Sequence, residues 1–157
     1  MKNLVKLTAL LLGVLFVLLG CRSESKSVFV YEYSGNKVQL TYIYDKDKDS
    51  ISSLNILASY APQTDSQAEL GRQLRTKLTD EIKQLEGVKV SVSEKDKEAT
   101  MTIDIDLNKF KLEDDGNRKK APNFYSTLDI ALVKKGGVFS YEASKESILS
   151  DGFKEQK

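Results

Sequence analysis

The chain has 157 residues, with 24 basic and 23 acidic side chains, one cysteine and no histidine. A net charge of +1 with both signs interspersed provides no concentrated basic surface, so nucleic-acid binding is not expected. A single cysteine excludes an intrachain disulfide, and the lack of histidine excludes a Ser-His-Asp triad and the usual zinc sites.

The first twenty residues are typical of a bacterial export signal. Two lysines precede an uncharged, mostly apolar run from Leu7 to Leu19, which is shorter than the roughly 20 residues that a membrane-spanning helix needs. The run leads into Leu18-Leu19-Gly20-Cys21, which resembles the lipobox, where a small residue precedes a cysteine that forms a thioether with diacylglycerol. The alternative is an ordinary signal peptide or short anchor with an incidental cysteine.

We therefore predict a lipoprotein signal peptide over residues 1–20 and a lipidated Cys21 that begins a flexible tether over residues 21–26. Residues 27–157 are expected to form a single α+β domain on the extracytoplasmic face of the cell membrane. Without residues 1–20, the chain has 22 basic and 23 acidic side chains, which gives a net charge of −1.

A β-hairpin is predicted between Val28 and Asp45, where two alternating runs flank Gly35-Asn36. A type II′ turn at this dipeptide sets Tyr31 opposite Leu40 and Phe29 opposite Tyr42. The alternation predicts that these apolar residues and Tyr33 share a buried face, with Glu32 and Thr41 on the opposite face.

The remaining segments predict further strands and helices. Strands are expected at 51–60, 88–94 and 99–107, with a polar turn at 45–50 between the second and third strands. A helix from Ser66, capped by Ser66 and Glu69, is expected to end at Gly87. Its apolar stripe at helical spacing consists of Leu70, Leu74, Leu78, Ile82 and Leu85.

Residues 112–135 are the least predictable part of the chain. The stretch from Phe124 to Gly137 fits either a strand or a helix, and we favour a short helix that ends before Gly136. A last helix is expected to begin after Ser140 as N-cap and to end at Gly152, with Phe153 folding back onto it. The predicted class is α+β: an antiparallel sheet of about five strands in β-β-β-α-β-β-α order, with the long helix packed on one face.

Four stretches carry a resemblance to a known family. They are FVYEYSGNKVQLTYIYD, LEGV, TIDIDLNKF and KKGGVFSYEASKESILSDGFK. Together they resemble the YehR-like family of small bacterial lipoproteins over nearly the whole mature chain, with the largest departure between Leu112 and Leu132. The resemblance implies a lipid-anchored envelope domain of mixed α and β structure and transfers no catalytic residue.

The strongest metal candidate is the turn DKDKDS. Asp45, Asp47 and Asp49 match the first three ligand positions of a calcium loop, but Ser50 occupies the glycine position and Ile56 the bidentate glutamate position. A solvated hairpin turn is favoured, so no metal and no cofactor are predicted.

The strongest catalytic candidate is the pair Asp104 and Asp106, whose carboxylates project from one face of a strand, as paired acids of glycoside hydrolases do. The favoured alternative is the polar face of an amphipathic strand, because Thr100 and Thr102 continue the same row. We predict no catalytic residue.

The aromatic row Phe29, Tyr31, Tyr33 and Tyr42 has two interpretations. The favoured one is core beneath the long helix; the other is the wall of a ligand groove with tyrosine hydroxyls in water. The predicted function is a non-catalytic binding or accessory module of the cell envelope, whose partner is an envelope protein, a peptide or a small molecule. The alternatives are a histidine-free carboxylate hydrolase and a purely structural envelope protein.

Overall fold

The computed structural model describes residues 24–95 and 98–156. The predicted signal peptide and the predicted lipid attachment at Cys21 lie outside the described residues. Within the described ranges, no helix has both the length and the apolar character needed to cross a bilayer.

Strands and helices follow one another along the chain in an α+β order. The strands are β1 (Glu24–Tyr33), β2 (Asn36–Asp45), β3 (Ser50–Tyr60), β4 (Val88–Lys95), β5 (Glu98–Asp106), β6 (Val133–Lys135), β7 (Val138–Ser140) and β8 (Lys154–Gln156). The helices are α1 (Asp65–Ile82), α2 (Asp115–Lys120), α3 (Pro122–Ala131) and α4 (Tyr141–Ser150).

All paired strands are antiparallel and belong to one sheet, in the spatial order β4-β5-β3-β2-β1-β8. The β6–β7 hairpin joins it through the pairing of Ser50 with Ser140. The predicted α+β class is confirmed, whereas the prediction of about five strands was too low. The three additional strands, β6, β7 and β8, have three residues each, which is too short to show a period of two.

The β1–β2 hairpin forms where it was predicted, with a register that differs by two residues. Tyr31 pairs with Val38 and Phe29 pairs with Leu40. The turn is Ser34-Gly35, both with positive φ (50° and 81°), as a type I′ turn requires. A shift of two residues preserves the faces, so Phe29 and Leu40 still point to the same side.

The strand β1 begins earlier than predicted. Glu24, Ser25 and Lys26 were assigned to the tether, but they pair with the end of β2. The hydroxyl of Tyr141, at the start of α4, donates to Ser27 Oγ over 2.7 Å and ties this polar segment to the body of the domain. Two residues therefore separate Cys21 from Glu24, the first residue of the sheet.

The ends of α1 also differ from the prediction. The N-cap is Thr64, whose hydroxyl accepts from Gln67 N, while the Gln67 side chain accepts from Gln63 N. This Thr-x-x-Gln arrangement replaces the expected capping box at Ser66 and Glu69.

At its C-terminus, α1 ends at Ile82 rather than continuing to Gly87. A Cβ at Gly87 would lie 2.7 Å from Phe110 N and 2.9 Å from Asp106 O, so the loop after α1 packs tightly on the end of β5. Gly87 is needed for this close approach and for its φ of 79°.

The core lies between one face of the sheet and the helices α3 and α4. Tyr42 is fully buried and its hydroxyl donates to the carbonyl of Ala131, at the end of α3, over 2.8 Å. The ring of Tyr141 from α4 stacks on Tyr44 with centroids 3.6 Å apart. The helices α3 and α4, rather than α1, therefore cover the buried part of the aromatic row.

The drift of the leucine stripe explains why α1 packs differently from the prediction. Residues in a helix are about 100° apart, so each step of four residues rotates a stripe by about 40°. From Ile82, which is fully buried, three such steps back to Leu70 accumulate about 120°. Leu70 and Leu74 are accordingly 58% and 59% exposed.

The C-terminal third confirms the local predictions and adds a hairpin. A helix, α3, forms in the ambiguous segment but ends at Ala131, and β6 and β7 follow around Gly136-Gly137. Ser140 caps α4 by accepting from Ala143 N, and Phe153 N donates back to Ile148 O, as predicted for this helix end.

Candidate functional site

The candidate site is a group of exposed and half-buried apolar side chains at the end of the sheet where the β1–β2 turn lies. We call it the distal patch and define it as Tyr31, Tyr33, Val38, Ile130 and Phe153. Tyr31, Tyr33 and Ile130 are 38%, 70% and 46% exposed. Exposed apolar side chains that cluster on a soluble domain mark a surface for interaction.

A small cleft of about 220 Å³ forms the centre of the distal patch. It lies between the start of β2, the exposed side of α3 and the segment that follows α4. The lining residues are Val38, Leu40, Ser126, Thr127, Ile130, Ala131 and Phe153. Because β2 and α3 are fixed by the buried core, two of the three walls are rigid.

The third wall depends on the turn at the end of α4. Gly152 has a φ of 91°, and the hydrogen bond from Phe153 N to Ile148 O returns the chain onto the helix. The ring of Phe153 then packs beside that of Tyr31, with centroids 5.5 Å apart. Tyr31 and Phe153 thus hold each other at the edge of the cleft.

The four residues predicted to line a groove are not brought together. Phe29 and Tyr42 are 0% exposed and pack edge to face with centroids 5.8 Å apart beneath the helices. Burial, with Tyr141 adding to the effect, raises the pKa of Tyr42. Tyr31 and Tyr33 lie further along β1, beyond the helices, so the row is divided into a core half and an exposed half.

The opposite face of the hairpin does not simply face solvent. Val30 and Thr41 are 8% and 9% exposed, although the alternation places them away from the helices. Both belong to strands that are paired on each side, since β1 lies between β2 and β8, and β2 lies between β1 and β3. The expected alternation of buried and exposed residues along the hairpin is therefore incomplete: Val30 and Thr41 are buried, and Tyr31 is 38% exposed.

The helix α1 is held against the ends of β3 and β4. Tyr60, the last residue of β3, occupies the space beside Gly71 and donates its hydroxyl to Gln67 O. One flank of α1 faces β4, where Arg75 pairs with Glu94 over 2.6 Å. Leu70 and Leu74 lie on a different side of α1 and are exposed.

The candidate carboxylates are engaged in local hydrogen bonds. Asp104 accepts from the Asn55 side chain over 2.7 Å. Asp106 accepts from the backbone and side chain of Asn108 and pairs with Lys109, and these contacts lower the pKa of Asp106. A lowered pKa stabilises the carboxylate and opposes a role as general acid.

The aspartates of the predicted turn serve separate structural purposes. Asp45 accepts from the backbone N–H groups of Asp47 and Lys48, which closes the turn. The carboxylate of Asp49 points instead to the start of α4, where it accepts from Ser140 and Glu142 N. Within residues 24–95 and 98–156, no group of three or more metal-ligating side chains converges.

A larger cleft, about 750 Å³, separates α1 from α2. Its charged lining residues have both signs: Arg72, Lys77, Asp80, Glu81 and Lys120. Arg72 and Asp80 already pair with Glu69 and Lys83 on the surface of α1. We therefore place the candidate site at the apolar cleft.

Sequence reasoning placed Tyr31 and Tyr33 in a candidate groove and Phe153 only at the end of the last helix, and it missed Val38 and Ile130 as parts of one surface. Ile130 lies in the segment that fitted both a helix and a strand, and Val38 was expected in the core. The sequence contained a signal for Leu70 and Leu74, since a strict spacing of four residues rotates away from a helix face.

The fold defines a class: an α+β domain with one antiparallel sheet whose buried face is covered by helices. Solved structures of this class include the NMR structure of E. coli YehR, with a TM-score of 0.67 and 17% sequence identity over 88% of this chain and 94% of that chain. An NMR structure of a protein from Streptococcus pneumoniae TIGR4 has a TM-score of 0.60 and 17% identity, covering 87% of each chain. The expected resemblance to YehR is thus confirmed at the level of the fold.

No protein-family model matches the sequence. No curated protein matches it either.

Proposed function

We propose that this chain is a lipid-anchored extracytoplasmic protein that acts as a non-catalytic binding or accessory module of the cell envelope. The observation that carries the binding role is the distal patch, where Ile130, 46% exposed, lines an apolar cleft and Tyr31, 38% exposed, packs against Phe153 at its edge. The lipobox-like Leu18–Cys21 supports the anchor.

The non-catalytic role is supported by the state of the candidate acids. Asp106 has a lowered pKa, and Asp104 is held by Asn55 on the polar face of β5. A glycoside hydrolase needs one carboxyl group with a raised pKa to protonate the leaving group. The distal patch contributes apolar contact and tyrosine hydroxyls, which suit recognition of a partner.

The anchor is tested by replacing the proposed attachment residue. We expect Cys21→Ser to abolish retention of the mature chain in the membrane fraction, because a hydroxyl is no substitute for the thiol in thioether formation. Ser23→Ala, two residues further on, should fractionate like the unchanged protein. The measurement is membrane fractionation with mass spectrometry of the N-terminal peptide, and a Cys21→Ser chain that remains lipid-modified would contradict the anchor.

A further inference from the structure

We infer that the distal patch binds an apolar side chain presented by an extracytoplasmic polypeptide, and that it does not bind the lipid of the membrane to which the chain is attached. The inference rests on the proposed function for the position of the anchor. It adds the chemistry of the partner and the direction from which the partner approaches.

The direction follows from the course of β1. Cys21 precedes Glu24, the first residue of β1, by three positions, so an anchor at Cys21 attaches the membrane to that end of the sheet. Ten strand residues at roughly 3.3 Å each span about 30 Å, and Tyr33 is the last of them. The distal patch therefore lies at the end of β1 away from the anchor.

The size of the cleft indicates what occupies it. At about 220 Å³, it is smaller than the roughly 300–1,000 Å³ of sites that enclose whole small molecules. In a protein–protein interface, by contrast, a small pocket takes one buried side chain of the partner, and the surrounding contacts exclude water. An apolar lining with Ser126 and Thr127 at its margin matches an aliphatic or aromatic side chain on a polypeptide.

The two tyrosines of β1 extend the apolar surface beyond the lining of the cleft. Tyr31 packs its ring against Phe153, which lines the cleft, while Tyr33, two residues further along β1, is 70% exposed. A tyrosine combines apolar area with a hydroxyl that can hydrogen-bond to a peptide backbone, and tyrosine is enriched in protein interfaces for this reason.

The test places a photoreactive residue in the full-length protein in the bacterium that makes it. Benzoylphenylalanine replaces Tyr33 or Ile130 in separate strains, and replaces Val138 in a control strain. Val138 is 41% exposed and lies outside the distal patch, on β7. After irradiation, the crosslinked fragments are identified by mass spectrometry, and lipid adducts are sought in organic extracts.

We expect Tyr33 and Ile130 to crosslink to the same segment of one extracytoplasmic polypeptide, and this segment should contain a large apolar residue. Thr127→Trp, which fills the cleft, should lower the yield from the Tyr33 position about tenfold, the effect of losing about 1.4 kcal/mol of binding free energy. Asn123→Trp, on the same helix but outside the cleft lining, should leave the yield unchanged.

Crosslinks to phospholipid, crosslinks to a second copy of the chain, or a yield indifferent to Thr127→Trp would overturn the inference. Fractionation of the same cells separates the two proposals. If the chain is missing from the membrane fraction, the lipid anchor is contradicted. If the chain is in the membrane fraction but no crosslink depends on the cleft, the assigned partner is contradicted.

Discussion

Asp49 shows, at the scale of a single residue, how the β2–β3 turn fixes the start of a helix that is distant in the sequence. Its carboxylate accepts from Ser140 Oγ and, over 2.8 Å, from Glu142 N, and its carbonyl accepts from Tyr141 N. Two N–H groups at the start of α4, which have no partner within the helix, are satisfied in this way. Burial acts to raise the pKa of Asp49, but the hydrogen bonds from Ser140, Glu142 and Tyr141 outweigh it and lower the pKa.

The lowered pKa gives a pH-dependent prediction for Asp49→Asn. A carboxyl group whose pKa is lower in the folded state stabilises the fold above its ordinary value of 3.8, and the stabilisation is lost as the pH falls through the folded value. We expect Asp49→Asn to lower the free energy of unfolding by about 1 kcal/mol at pH 7, because a neutral amide oxygen accepts weaker hydrogen bonds than a carboxylate. The difference from the unchanged protein should shrink below about pH 4. Urea unfolding of both proteins at pH 7 and pH 3 measures this difference in the free energy of unfolding. An equal difference at the two pH values would contradict a stabilising role for the Asp49 carboxylate.

Local signals made both ends of α4 predictable, whereas the contact of its first residues with Asp49 could not be predicted from the sequence. Ser140, Gly152 and Phe153 stand at the spacings that helix caps require, so the sequence predicted their roles. The role of Asp49 depends on a partner 91 residues away in the chain, which no local pattern specifies. Its spacing with Asp45 and Asp47 suggested a calcium loop instead.

At the scale of elements, α1 separates two residues that one leucine stripe had grouped together. Ile82 is fully buried, whereas Leu74, two steps of four residues earlier, is 59% exposed. We expect Ile82→Ala to lower the free energy of unfolding by about 2–5 kcal/mol, because it leaves a cavity in the core. Leu74→Ala should change it by no more than about 0.5 kcal/mol. Chemical denaturation of both variants checks this, and equal losses would show that the stripe packs as a whole.

The elements were predictable where a period was long enough to recognise. Ten-residue strands such as β1 and β2 alternate clearly, so their existence and faces followed from the sequence, while the register depended on whether Ser34 adopts a positive φ. Serine there is unusual, since most non-glycine residues avoid this region. The distal patch could be predicted only in part, because it joins β2, α3 and the segment after α4, which are distant in sequence.

At the scale of the whole molecule, the first and last strands of the described chain are neighbours. Val28, Phe29 and Val30 of β1 pair with the three residues of β8, and Lys145 of α4 pairs with Glu155 over 2.7 Å. The strand β8 covers an edge of β1 that would otherwise present unpaired N–H and C=O groups.

Truncation after Phe153 tests how much this closure contributes. We expect the loss of β8 to lower the free energy of unfolding by about 1–3 kcal/mol, since each backbone hydrogen bond contributes about 0.5–1.5 kcal/mol net. Glu155→Gln, which keeps the strand and removes only the ion pair, should cost less than about 1 kcal/mol. Urea unfolding compares the two variants, and a truncation no more costly than Glu155→Gln would show that β8 adds nothing beyond that pair.

The pairing of β1 with β8 also dictates the order in which the domain can assemble as it is made. Synthesis proceeds from the N-terminus, so β1, β2 and β3 are available early and can form a local meander of adjacent strands. The free edge of β1 pairs with residues that lie more than a hundred positions later in the chain. Pairing between residues so distant in sequence is slow to form. The edge of β1 therefore stays open until residues 154–156 pair with it, and until then it offers unpaired N–H and C=O groups to other chains.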